Sequence, residues 1–147
     1  MKSTSVLFDT NVIIDFLERR GGFADASERL FTMCADGVIS GFIAAQSVSD
    51  IFYILRKDYT VAQRRELLHS VCTVLEVAGV GKRHILSALS DDSFFDLEDG
   101  ILAKCAEDYG FDFIASRNTE DFTASKTPVV TPLELLEHLR DFSSPTS

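Results

Sequence analysis

Asp9, Asp50, Asp96, Asp99, Asn118 and Asp121 are the residues of this sequence best placed to do chemistry. Asp9 interrupts an apolar stretch, VLFDTNVIIDF. Asp50 sits in SVSDIFYILRK, Asp96 and Asp99 in FFDLEDGI, and Asn118 and Asp121 in FIASRNTEDF. Asp9, Asp50, Asn118 and Asp121 follow short apolar runs that read as strands, and Asp96 and Asp99 open a helix. Carboxylates drawn together repel one another and raise each other's pKa. A divalent cation relieves that repulsion. Mg²⁺ or Mn²⁺ prefers such oxygen donors and keeps several waters. It can hold a phosphate oxygen and activate water for in-line attack. Each acid also has a plain structural reading. Asp9 or Asn11 caps a helix, Ser47 and Asp50 match a capping box, and Asp96 caps a helix with Asp99 in its first turn.

The elements that must position these residues alternate along the chain. Short apolar runs at 6–8, 38–44, 74–77, 111–116 and 128–130 predict strands. Helical periodicity predicts helices over 11–18, from Phe23 to a close at Gly37, and over 47–57, 61–73, 82–89 and 97–109. A last helix starts at Pro132. Short strands separated by helices imply right-handed crossovers and a mostly parallel sheet covered on both faces. Sites in such folds form beyond the carboxyl ends of the strands, where these acids fall. Residues 1–142 are expected to form a single domain, with 143–147 (SSPTS) a disordered tail.

With 46% hydrophobic and 25% charged residues, the chain is ordinary for a globular protein, which excludes intrinsic disorder. No apolar run approaches membrane-spanning length, and MKSTSVLFD meets an acid too early for a signal peptide, so the expected location is cytoplasmic. The net charge of −9 disfavours broad, non-specific nucleic-acid binding and suits metal ions or a basic partner. Cys34, Cys72 and Cys105 form no CxxC pair and read as buried small hydrophobes. His69, His84 and His138 are expected at the surface. The basic pairs Arg19-Arg20, Arg56-Lys57, Arg64-Arg65 and Lys82-Arg83 read as solvated helix faces, with Arg19 and Arg20, after the helix that starts at Asp9, the best placed toward any nucleic-acid path. No aromatic-basic alternation suggests a stacking platform for single strands.

Four segments together resemble the PIN-domain family: VLFDTNVIIDFL, SVSDIFYILRK, FFDLEDGILAKCAEDYGFDFIASRNTEDF and PVVTPLELL, in family order. The branch resembled is that of small bacterial VapC-type toxins. The resemblance implies a three-layer α/β/α fold and a Mg²⁺- or Mn²⁺-dependent endoribonuclease, the toxin of a toxin–antitoxin pair and a homodimer. It implies that Asp9 and Asp99 hold the ion, with Asp96 as helper. Asp50 orients or deprotonates the attacking water, directly or through water. Asn118 and Asp121 shape the surroundings or a weak second metal site. Thr10 and Ser116 match hydroxyl positions that bind water or phosphate, and Arg117 contacts the substrate phosphate or else pairs with an internal acid. Two positions depart from the pattern. Asp50 replaces the usual Glu, and Asn118 replaces an acid, which favours one tightly bound ion over two. A PIN-like binding module without catalysis is the competing reading. A receiver or a haloacid-dehalogenase-like phosphatase fits less well, because Asn11 stands where the latter needs a second Asp and the late strand ends in Ser116-Arg117-Asn118 without the former's Lys.

Overall fold

The computed structural model describes residues 3–143. Ser143 ends the last helix, and the rest of the expected tail, 144–147, lies outside the described residues. Five strands form one sheet in the order β3-β2-β1-β4-β5, all parallel. They are β1 (Ser5–Phe8), β2 (Ser40–Ala44), β3 (Glu76–Ala78), β4 (Phe113–Ala115) and β5 (Val129–Val130). The central strand β1 is buried along its whole length. Alternation then splits its side chains between two cores. Val6 and Phe8 pack with Val12, Ile13, Leu30, Phe31, Ile51 and Leu135, while Leu7 packs with Leu102, Ala103, Ala106 and Phe122. The first core lies under α1 (Thr10–Glu18), α2 (Phe23–Ala35), α3 (Ala45–Ile54), α4 (Val61–Val74) and α7 (Pro132–Ser143). The second lies under α6 (Leu97–Tyr109), against which α5 (Lys82–Leu89) packs. This is the expected three-layer α/β/α arrangement. No helix among the described residues is long and apolar enough to cross a membrane.

Several boundaries differ from the periodicity reading. Helix α4 continues through Val74, so β3 begins at Glu76 rather than 74; a capping box between Thr60 and Gln63 starts that helix firmly. Strand β4 is shorter than 111–116. Phe111 stacks on Phe42 (4.3 Å) and Asp112 accepts from the Ser5 amide (2.9 Å), and both lie outside the ladder. The capping box read at Ser47 and Asp50 is absent. Helix α3 starts two residues earlier, at Ala45, so Ser47 lies within its first turn and Asp50 in its second.

Cys34 and Cys105 are buried as expected, while Cys72 is only half-buried; burial pushes the Cys34 and Cys105 thiols up to about 12 and 11, which keeps them protonated and inert. Cys34 also explains Gly41 in β2. A Cβ there would stand 2.6 Å from both Cys34 Sγ and Leu75 Cδ2. Gly41→Ala is therefore expected to destabilise the fold by about 1–3 kcal/mol through overpacking. Urea titration followed by circular dichroism measures this, and an unchanged midpoint would contradict it.

Candidate functional site

The direction of chain travel reverses at β1. Strands β2 and β3 are laid down on one side of it, then β4 and β5 on the other. The carboxyl ends of β1 and β4 therefore border the crevice where such sheets bind their ligands. Asp9 leaves β1 at that point and Ser116 leaves β4. The two strands are tied there by the Asp9 amide, which donates to the Ala115 carbonyl (2.9 Å).

Asp9 is 7% exposed and is the N-cap of α1. Its Oδ1 accepts from the Thr10 amide (2.8 Å), and its Oδ2 accepts from the Ser116 hydroxyl (2.8 Å). Burial raises its pKa; the Ser116 and Thr10 hydrogen bonds oppose that rise, and Asp121 and Asp96 add to it. The cap reading and the ligand reading are thus one arrangement: the helix end fixes the carboxylate that faces the crevice.

The crevice has a volume of about 550 Å³ and is ringed by the carboxylates of Asp9, Asp50, Asp96, Glu98, Asp99 and Asp121. Thr10, Asn11 and Asn118 add neutral oxygens, and among the described residues Arg20 is the one cation lining it. Asp96 caps α6, accepting from the amides of Glu98 (2.8 Å) and Asp99 (3.2 Å). That cap turns the first two acids of α6 toward the crevice. Asp99 is pushed up to about 7, by desolvation first and then by Asp9, Asp96 and Asp121. Glu98 is pushed up to about 8, by desolvation first, then by a hydrogen bond to Asp50 and the repulsion of Asp50, Asp9 and Asp96. A hydrogen bond between two carboxyl groups requires a proton between them.

Glu98 is the site residue the sequence reading passed over. Its signal was present in Asp-Leu-Glu-Asp, but the motif assigned weight only to the flanking acids. Its carboxyl group interacts with that of Asp50.

Two expected substrate contacts are corrected. Ser116 is fully buried, and its hydroxyl is used up, donating to Asp9 and accepting from the Asn118 amide (3.1 Å). It positions Asp9 and does not face the crevice. Arg117 turns away from the acids. Its Nε lies 3.2 Å from Oδ2 of the buried Asp15, too misaligned for a hydrogen bond, and its guanidinium lies 4.8 Å from the Phe23 ring centroid. An internal acid is its partner. Thr10 does line the crevice, with its hydroxyl donating to Ser47 (3.2 Å). Of the two arginines proposed for an RNA path, Arg20 reaches the rim while paired with Glu18 (2.6 Å), and Arg19 pairs with Glu28 (3.2 Å). His84 is not at the surface. It is 3% exposed, with Nδ1 accepting from the Gly81 amide (2.9 Å) and Nε2 bonded to Asp108 (2.9 Å). Nδ1 closes the N-terminal cap of α5, and Nε2 ties α5 to α6 through Asp108.

Ser116→Ala frees Asp9 Oδ2 and orphans the Asn118 amide, and it removes a bond that opposes the rise in Asp9's pKa. A loss of about 10- to 100-fold in metal affinity or activity is expected, as for other residues that orient a metal ligand. Titration calorimetry checks the affinity, and wild-type binding by the variant would refute the positioning role.

The sequence matches the PIN domain over residues 5–120, most of the chain and every acid of the crevice but Asp121. The chain belongs to the PIN-domain family. No curated protein matches it by sequence. Its fold is shared with several solved structures. VapBC2 from Rickettsia felis, bound to a promoter DNA fragment, aligns with a TM-score of 0.69 at 12% identity, over 87% of this chain and 98% of its own. FitAcB from Neisseria gonorrhoeae aligns with a TM-score of 0.67 at 17% identity, over 87% and 98%. VapC20 from Mycobacterium tuberculosis, titled a sarcin–ricin loop cleaving toxin, aligns with a TM-score of 0.66 at 12% identity, over 83% and 95%.

The donor set of this PIN domain fits a hard divalent cation. Every crevice donor named above is an oxygen, and the raised carboxyl groups are those a nearby positive charge would bring back to the ionised form. Among the described residues no three His, Cys, Asp or Glu side chains are gathered tightly enough to enclose a cation. The acids ring an open crevice instead, and such a crevice suits an ion that keeps much of its water.

Proposed function

We propose that this PIN domain is a divalent-cation-dependent endoribonuclease, using Mg²⁺ or Mn²⁺, and the toxin of a toxin–antitoxin pair. The observation that carries the reading is the convergence of six carboxylates on one crevice at the β1/β4 switch point, with Asp9 locked between a helix cap and a buried serine.

Asp9 and Asp99 would hold the cation, with Asp96 and Asp121 at its margin. A bound cation would offset the crowded negative charge and stabilise charge developing on the scissile phosphate. Asp50 and Glu98 together take the role first given to Asp50 alone. The raised pKa of Glu98 brings its titration toward neutral pH, which is the property a general base needs. Asn118 would orient water beside them. The family resemblance and the toxin neighbours support the ribonuclease reading, the small antitoxin partner and a homodimer working in the cytoplasm. A basic antitoxin segment is the complement of this crevice, because a guanidinium can satisfy paired carboxylates with bidentate bonds.

The test is cleavage of single-stranded and structured RNAs by purified protein in EDTA, Mg²⁺ and Mn²⁺. Cleavage that requires metal and disappears in Asp9→Asn and Asp99→Asn is the expected result. No cleavage in any metal, with no metal binding by calorimetry, would overturn it and leave a binding module.

A further inference from the structure

We propose that Tyr53, backed by Arg56, is a stacking platform for a nucleobase of single-stranded RNA at the mouth of the acidic crevice. The proposal rests on the nuclease reading and adds the means by which this chain grips its substrate. An acidic protein faces a difficulty with RNA. A net charge of −9 repels phosphates, and the crevice itself concentrates negative charge. Stacking has no such limit, since every base presents a π-face whatever the net charge of the protein.

Tyr53 lies three residues after Asp50 on α3, and Ile54 four, so all three share one helix face. All three line the crevice. The Tyr53 side chain is 63% exposed. An isolated exposed tyrosine needs no explanation, but this ring is prepared on one side. The Arg56 guanidinium lies 3.7 Å from the ring centroid, and its Nη1 donates to the Tyr53 carbonyl (2.9 Å). The short 3-10 helix Leu55–Lys57 sets that geometry. It tightens the end of α3 and carries residue 56 back over residue 53. Arg56 is in no ion pair among the described residues, so its charge is available beside the ring. A base laid on the open face would complete a sandwich of guanidinium, phenol and base. Its phosphate would then lie between the Arg56 charge and the acids, and the exposed edge of Ile54 would meet the sugar.

Binding of a short fluorescein-labelled single-stranded RNA tests this, measured by anisotropy on an Asp99→Asn background that keeps the RNA intact. Tyr53→Ala is expected to weaken binding by about 5- to 100-fold, the range set by one lost base stack. Tyr53→Phe should bind as the parent does, and Arg56→Ala should show a smaller loss. An RNA with abasic positions should lose affinity for the parent and not for Tyr53→Ala. In cleavage by the protein with Asp99 intact, the defect of Tyr53→Ala should fall on KM more than on kcat. Circular dichroism melts confirm that each variant is folded. Unchanged affinity in a folded Tyr53→Ala would overturn the platform. So would a defect confined to inhibition by a basic peptide, which would make Tyr53 a protein contact. Absence of cleavage by the native chain would instead overturn the nuclease reading, and the anisotropy comparison would still decide the platform.

Discussion

Asp99→Asn is expected to lower RNA cleavage by about 1,000-fold or more and, in the same protein, to raise the melting temperature measured in EDTA. The two effects have one cause. Asp99 stands at the start of α6, where the Asp96 cap turns it into the crevice. Desolvation and the charges of Asp9, Asp96 and Asp121 push its carboxyl group up to about 7. The folded chain thus spends stability to keep this group among other acids. An amide of the same shape keeps the packing and gives up the charge's attraction to the helix N-terminus, but it removes the larger repulsion and desolvation cost, so the metal-free fold gains. The catalytic loss follows because the amide cannot replace a carboxylate toward the cation, and charge stabilisation of several kcal/mol is at stake, which converts to about three orders of magnitude in rate. Single-turnover cleavage in Mn²⁺ and a thermal melt in EDTA measure the pair. Loss of cleavage with a lower melting temperature would mark Asp99 as structural. A higher melting temperature with cleavage intact would place the catalytic charge elsewhere in the crevice.

The acids at the strand ends were legible because each stands where an apolar run stops, and burial there is costly without a purpose. Asp9, Asp50, Asp96, Asp99, Asn118 and Asp121 all line the one crevice. The layers were legible for the same reason: short uniform apolar runs leave a buried parallel sheet as the economical arrangement. What local pattern does not carry is direction. Ser116 and Arg117 are adjacent to Asn118 in sequence, but β4 sends Ser116 inward and Arg117 to the far side of α1, where buried Asp15 holds it. Arg117 had been read with an internal acid as its alternative partner, and that alternative is the one the fold selects. His84 looked like a surface residue because Lys82 and Arg83 precede it; it is buried instead, bonded locally to the Gly81 amide and across to Asp108 on α6. Glu98 was hidden by its motif, and its role needs the distance to Asp50 across two helices. Tyr53 and Arg56 show the same limit. An aromatic and a basic residue three apart are unremarkable in a helix, and only the tightened end of α3 stacks them.

Metal affinity and metal-free stability should respond to pH in opposite directions between about pH 5.5 and 8. Asp9, Asp99 and Glu98 all hold their protons more tightly in the folded chain than in the unfolded one, Asp99 to about 7 and Glu98 to about 8. Below the ordinary carboxylate range these groups are neutral in both states and cost nothing. As pH rises from there toward 8, the unfolded chain ionises first, and the stability is progressively lost as pH passes through the folded values. In EDTA the melting temperature should therefore fall from pH 5.5 to pH 8. Asp91 and Asp108 act in the opposite sense, because Lys104 and Ser93 hold Asp91 down to about 2 and Arg83 and His84 lower Asp108. Their contribution is complete above the ordinary range and is lost only in stronger acid, so it does not oppose the trend in this window. A cation needs the ionised carboxylates and must displace the protons that the crevice retains. Mn²⁺ should accordingly bind more tightly as pH rises, release protons on binding, and flatten the decline in melting temperature. Calorimetry in two buffers of different ionisation enthalpy counts the protons, and melts with and without Mn²⁺ follow the stability. Metal binding without proton release near pH 6.5 would show that the cation is held away from Asp99 and Glu98, and the assignment of the crevice as the metal site would fail.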